Sequence, residues 1–450
     1  MMKKLLLLSL ATLSCLFGMS LETTIQKALV NNNNLKIVIY QKQQSKAIKK
    51  SKQMQNYGQL NFTAGYDHYN LARTLAPLTP MDIVGSKDGA YQIPSTKDLI
   101  NSGISYNVVL FDGYAQKKSF EIADIQHKSF LIKENLTKED LVYNVKNLYV
   151  SLLSLQDQLQ AQKLFTTSQK QLYIQIQSAY KFGKRSKLDM LKAKNSYLTS
   201  LSIEEKIKSN IEILKATLQQ LIGGENFDKA ETVYVTFDNK ERSFTKNINN
   251  LQKYEIYTLQ SGIAQKKIDT AKSAYYPKID FNMYYGYNFG PNATTNTSPA
   301  LIPGNTPKTY IEEGDWNSKE IWQAGIHLKW NIYDFGMKSA VVQKEELNKL
   351  IAITQTQEIK LKLQKDIKIA QSKKRLAQTT YKMAQNEYEL ALEISNVEQT
   401  KYDNNAATIT DLLQAQAKAK LLQAKQINAK YDYLKAQYAL DYLLEKGTKG

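Results

Sequence analysis

The side chains best suited to acid–base or metal chemistry are three histidines, His68, His127 and His327. They stand in separate stretches, without HExxH or any other ligand spacing, so the sequence offers no metal-binding set. His68 and His327 each sit in or beside an alternating apolar–polar run and read as strand residues. No serine occupies a nucleophile elbow, and no Walker-type glycine loop occurs. The one cysteine, Cys15, lies within MMKKLLLLSLATLSCLFGMS, residues 1–20. A basic start, an apolar core and small residues near the end make this a secretory signal, too short to span a bilayer as a helix. Cleavage after Gly18 or Ser20 would leave a mature chain with no thiol. Lipidation of Cys15 is the alternative use: Ser14 is a suitable small neighbour, but the customary Leu three positions upstream is missing. These residues suggest neither an enzyme nor a cofactor.

The charge pattern narrows the partners. A formal charge of +18 could suit nucleic acid, yet only four of the 60 basic residues are Arg (Arg73, Arg185, Arg242 and Arg375). Base and phosphate recognition leans on the planar Arg fork. Here Lys residues are spread along helix-prone stretches among Asn, Ile and Tyr, which reads as solvated helix faces with no nucleic-acid partner. Past the signal no apolar run of eighteen residues occurs, so no transmembrane helix is expected.

Four stretches of period two supply the strands. In residues 322–336, WQAGIHLKWNIYDFG, Trp322, Ala324, Ile326, Leu328, Trp330 and Ile332 share one side, while Gln323, Gly325, His327, Lys329 and Asn331 share the other. Residues 102–114, SGISYNVVLFDGY, echo it. Residues 60–67 and 279–288 alternate in the same way, each leading into a long loop that holds Pro and Gly. Between the strands lie long stretches on a three-four rhythm, the seam of a coiled coil. Leu141, Val145, Leu148, Leu152, Leu155 and Leu159 mark the first, in a helix of about 65 residues that would reach on the order of 100 Å.

The whole pattern occurs twice. Leu363, Ile367 and Ala370 repeat Leu141, Val145 and Leu148 at 363 − 141 = 222 positions, and the return helix from Met190 to Leu221 recurs from Leu412 to Leu443 at the same offset. We therefore expect a signal peptide at 1–20, a first repeat at 21–224, a periplasmic connector at 225–250 and a second repeat at 251–447. Each repeat should hold a helix, two strands and a long helical hairpin. The shorter helices at 21–56, interrupted by the Asn run 31–34, and at 251–275 should stack end to end on the return helices.

Strands of about ten residues suit a tilted crossing of a bilayer. Four strands cannot close a barrel, and open edges in lipid leave backbone groups unpaired. Three copies would give twelve strands, an even number with a pore. Tyr66, Tyr69, Tyr287, Phe289, Trp322 and Tyr333 fit aromatic girdles at the interfaces. The expected fold is mainly α with membrane β: a tandem-duplicated subunit with two strand pairs and two coiled-coil hairpins. As a trimer it would form a 12-stranded outer-membrane β-barrel continued by a periplasmic α-helical barrel.

The order of its motifs resembles the TolC-like outer membrane efflux protein family across the whole mature chain. The opening Leu21, Ile25, Ala28 and Leu29, the strand ends Phe111-Asp112-Gly113 and Tyr333-Asp334-Phe335-Gly336, and two tip motifs carry the likeness. The tips read Tyr180, Gly183, Arg185, Leu188, Asp189, Leu191 and Ala193, then Tyr402, Asp411, Leu413 and Ala415. The resemblance implies a homotrimeric exit duct for multidrug efflux or type I secretion, in outer-membrane lipid. An adaptor (membrane fusion) protein and an inner-membrane efflux or ABC pump would dock and open it. It also implies a periplasmic gate of Tyr402, Asp411, Gln414, Arg185 and Asp189. Ala407 stands where the family often has Arg, Gln414 where it can have a second Asp, and the second tip lacks a counterpart to Gly183. Asp411 thus has two readings, a carboxylate ring at the axis that draws cations or a cap for the return helix beginning near Thr410. The alternative for the whole chain is a periplasmic coiled-coil adaptor or scaffold.

Overall fold

In the computed structural model, residues 18–82, 93–233, 247–293 and 312–447 are described. Cys15 and nearly all of the signal-like segment lie outside them, as do the central parts of both long loops and of the connector. The chain forms two compact units. One takes Met1–Gln44, Lys128–Gln260 and Ile353–Gly450, the other Ser45–His127 and Ser261–Ala352.

The second unit carries the strands. β1 (Gln59–Thr74), β2 (Ser95–Phe111), β3 (Lys278–Pro291) and β4 (Trp316–Lys329) form a single antiparallel sheet in that order. The two expected strand pairs are thus joined through β2 and β3. Register brings apolar residues together in rungs across the sheet, such as Phe62–Ile104–Tyr285–Trp322 and Leu60–Tyr106–Met283–Ala324. The alternate rungs are polar, for example Asn61–Ser105–Tyr284–Gln323. On that polar face the Tyr284 hydroxyl lies across Gly103 and Gly286, where a Cβ would come within 2.5 and 2.6 Å of it. Only glycine leaves room for the ring there.

Among the described residues nothing covers the apolar face. Phe62 is 71% exposed, Trp322 69% and Ile326 68%, although burying each such side chain is worth roughly 1.5–3 kcal/mol.

One expected strand is cut short. Trp330 and Ile332 continue the alternation in sequence but lie beyond β4, which ends opposite Lys278. Pro277 precedes Lys278 and has no N–H to extend the ladder, and the Trp330 indole instead donates to the Tyr275 carbonyl at 3.1 Å. Past the strands the chain turns into helix at two matching corners. Asp112 Oδ2 accepts from Gln116 N at 3.0 Å, and Asp334 Oδ2 accepts from Lys338 N at 3.0 Å.

The hairpin helices keep the repeat to the residue. α1 (Leu21–Asn31) and α2 (Asn33–Met54) precede the sheet, then α3 (Ala115–Lys181) and α4 (Lys187–Leu221) form the first hairpin. α5 (Gln252–Lys272) leads into β3, and α6 (Met337–Asp403) and α7 (Ile409–Leu443) form the second hairpin. Both outgoing helices have 67 residues and both return helices 35.

Within the helical unit the expected seam is the core. Leu141, Val145, Leu152, Ile211 and Leu218 are buried together, with Leu148, Leu155 and Leu159 packed against them. End-to-end joints restore the length of the return helices. Asn32, between α1 and α2, donates from Nδ2 to the Leu221 carbonyl at 3.2 Å. At the other joint the Glu445 carboxylate accepts from the N–H groups of Gln252 and Lys253, both at 2.8 Å. Each contact satisfies backbone groups that a helix end leaves orphaned.

Candidate functional site

Both hairpin tips lie in the helical unit, so their contacts can be built directly. Each return helix opens with a capping box. Ser186 Oγ accepts from Asp189 N at 3.1 Å while Asp189 Oδ2 accepts from Ser186 N at 3.3 Å. Thr408 and Asp411 do the same 222 positions on, at 3.2 and 3.0 Å, and the Thr408 hydroxyl also donates to Asp411 at 2.6 Å. These bonds account for both aspartates locally and hold the Asp411 carboxyl below its ordinary range. Thr408→Ala should cost about 1 kcal/mol of local stability. Hydrogen exchange at residues 409–412 should then rise severalfold, and unchanged protection would refute the cap.

The turns themselves need a left-handed residue, and the two tips supply it differently. Gly183 has φ 70° and Asn405, at the equivalent position, has φ 59°. The second tip therefore keeps the turn without a glycine, because Asn is one of the few residues that tolerates this region. Asn405 was visible in the sequence as a turn former but was not assigned this part.

Arg185 links the tips. Its guanidinium carbon stands 4.6 Å from the centroid of the Tyr402 ring, and its Nη2 donates to Asn405 Oδ1 at 3.5 Å. Tyr402 packs with Leu172, Ile176, Ala193, Ile409 and Leu412 in a small buried cluster. Burial pushes its phenol above the ordinary value, against the nearby Arg185, which favours the ionised form. A second link joins Lys192 Nζ to Thr410 Oγ1 at 3.0 Å. Spacing alone could not show it, since it depends on how α4 and α7 meet.

Arg185 and Tyr402 are therefore brought together, Asp189 and Asp411 serve as caps, and Gln414 lies apart from them on the wall of a cavity. The three histidines are dispersed: His68 meets Asp98 at 2.6 Å, His327 meets Asn282 at 3.1 Å and His127 meets Ser45 at 2.9 Å. Among the described residues no cluster of metal-ligating side chains occurs, and no helix is long and apolar enough to cross a membrane.

Residues 24–224 and 259–445, which include both tips, match the family model described as outer membrane efflux protein. The chain belongs to the outer membrane efflux protein family. This is a family of channels rather than enzymes, placed in the outer membrane with a helical extension into the periplasm. The match takes in both repeats, strands as well as hairpins, and so sets aside the adaptor alternative. Three solved structures share the fold. The CmeC outer membrane channel of Campylobacter jejuni aligns with TM-score 0.76 and 16% identity, over 95% of this chain and 86% of that one. VceC of Vibrio cholerae aligns with TM-score 0.75 and 12% identity, over 94% and 96%. The MtrE channel of Neisseria gonorrhoeae, in its open state, aligns with TM-score 0.71 and 12% identity, over 95% and 89%. A search of curated proteins by sequence gives no match.

Proposed function

We propose that three copies of this outer membrane efflux protein assemble into a passive exit duct, closing a 12-stranded barrel from their four-stranded sheets. The observation that carries this reading is the sheet itself. β1 and β4 have no further strand partner among the described residues, and the apolar face is bare. In lipid an open edge costs several kcal/mol for each unpaired group, and pairing β4 of one copy with β1 of the next removes it. Two copies would give eight strands, whose interior side chains fill; three leave a passage.

Residues 21–224 and 251–447 then act as two repeats joined by the connector 225–250. The cargo is delivered by an inner-membrane pump of an efflux or type I secretion system, through a periplasmic adaptor that docks at the tips. Energy comes from that pump, since the sequence holds no nucleotide loop. Arg185, resting on Tyr402 and Asn405, restrains the tips, and Asp411, whose carboxylate is exposed beyond its cap, contributes negative charge to the entrance together with Asp189. Gln414 stands on the same helix one turn further along.

Single-channel recording in a planar bilayer tests the reading. Wild type should show small cation-selective openings. Arg185→Ala should raise conductance severalfold, and Asp411→Asn, which removes the charge but keeps a capping side chain, should weaken cation selectivity without closing the pore. Protein that inserts no channels and remains monomeric would defeat the duct; channels indifferent to both substitutions would defeat the gate.

A further inference from the structure

The helical unit contains a cavity of about 630 Å³ walled by α3, α4 and α7, a volume typical of drug-sized ligands. Polar side chains such as Gln162, Asn195 and Ser196 share its lining with Phe165, Ile203, Leu421 and Ile427, but most of the surface it exposes is apolar. Two ammonium groups, Lys192 and Lys420, enter the lining, and no carboxylate does. Lys192 is engaged with Thr410. Lys420 is different. Its Nζ donates to Gln423 Oε1 at 3.2 Å and stands 6.0 Å from the centre of the Phe165 ring. Among the described residues no acidic side chain forms an ion pair with it. Burial alone lowers its pKa to about 8. A half-buried cation without a counter-ion is costly, and an aromatic wall beside it favours a ligand with a flat apolar body.

We propose that this cavity binds an amphipathic organic anion, with a carboxylate or sulfonate on Lys420 and an aromatic or fused-ring body against the apolar lining around Phe165. The bound anion supplies the counter-charge that no described residue offers there. The same ligand, if carried as cargo, would pause near the tips on its way through.

Equilibrium dialysis of the full-length protein in lipid nanodiscs, with empty nanodiscs subtracted, tests this with two probes. They are 2-naphthalenesulfonate and its neutral counterpart 2-naphthalenemethanol. Wild type should bind the sulfonate saturably, at least tenfold more tightly than the alcohol. Lys420→Gln should lose about tenfold for the sulfonate and less than twofold for the alcohol, while Lys420→Arg should retain binding. Because the sulfonate stays ionised, its affinity in the wild type should be level below pH 8 and fall above it as Lys420 loses its proton. Lys192 is the other ionisable group of the lining, and Lys192→Gln should leave that pH dependence in place. The proposal is overturned if the sulfonate binds equally to wild type and Lys420→Gln, if no saturable site appears, or if the affinity is flat from pH 7 to 9. It is also overturned if the wild type ignores both probes but binds an acidic helical peptide in a Lys420-dependent way, which would make the cavity a protein-docking site.

Discussion

Ile326→Arg should prevent the protein from assembling in the outer membrane. Ile326 lies on the bare apolar face, in register with Phe281 and, through it, with Val108. An arginine facing lipid in a strand costs up to about 2–4 kcal/mol, most at the bilayer midplane and less towards the interfaces, and each copy of the chain would carry the cost. Gln323→Arg is the matched control. It lies on the polar rung with Asn61, Ser105 and Tyr284, where an added charge meets the water of the duct. Heat-modifiable mobility and recovery in the outer-membrane fraction should fall sharply for Ile326→Arg and stay near wild type for Gln323→Arg. The reverse pattern would mean that the faces are assigned the wrong way round.

The second large effect is expected at Tyr149, in the helical unit. Its side chain is fully buried among Leu152, Phe227 and their neighbours. The hydroxyl lies 2.7 Å from the Met19 carbonyl oxygen and 2.9 Å from that of Glu231, and donates its proton to this pair. Met19 itself pairs with the segment around Ala230, so one phenol ties the start of the described chain to the connector. Tyr149→Ala should cost about 3–5 kcal/mol through the cavity it leaves, and Tyr149→Phe about 1–3 kcal/mol by removing the side-chain donor to both carbonyls. Among the described residues only that of Met19 keeps a further partner, the Glu231 N–H at 3.3 Å. Burial pushes the phenol up to about 12. Its contribution is therefore complete below pH 10 and is lost as the pH rises from about 10 to about 12. Denaturant midpoints of wild type and Tyr149→Phe across that interval should converge. Parallel curves would show that the hydroxyl is not held neutral by the fold.

How far the sequence could be read depended on where its periodicity was strong. The seam Leu141 to Leu159 and its counterpart at Leu363 fixed both outgoing helices, because an apolar stripe over many turns has no other use. The caps were legible only in part: a cap by Asp411 near Thr410 was one of two readings, whereas Ser186 and Thr408 are the N-caps and Asp189 and Asp411 close the boxes from the third helical position. Strand ends were harder. β1 and β2 extend to Thr74 and back to Ser95 through residues such as Asn70, Arg73 and Lys97, whose polar side chains carry no alternation. The opposite error occurred at Trp330 and Ile332, where alternation continues but Pro277 ends the partner strand. Pairing of β2 with β3 joins the two repeats, and no local pattern encodes a contact between residues so distant in sequence. At the tips, types and spacing pointed to Arg185 and Tyr402 separately; that they touch depends on how α3, α4 and α7 come together. Lys420 carried no signal at all, because one more Lys on a Lys-rich helix looks solvated until its surroundings are known.

The equal lengths of the two hairpins also constrain how such a chain can change. Removing one residue from α6 would shorten it by about 1.5 Å and rotate everything beyond by about 100°, carrying Tyr402 off the buried cluster that faces Arg185. A substitution on an outer face disturbs nothing comparable. Sequence drift is therefore cheap along these helices, while insertions and deletions are tolerated only where the chain leaves them. Solved structures that share the fold at 12–16% identity, over 86–96% of their own chains, agree with such a rule: the fold outlasts the replacement of most of its residues.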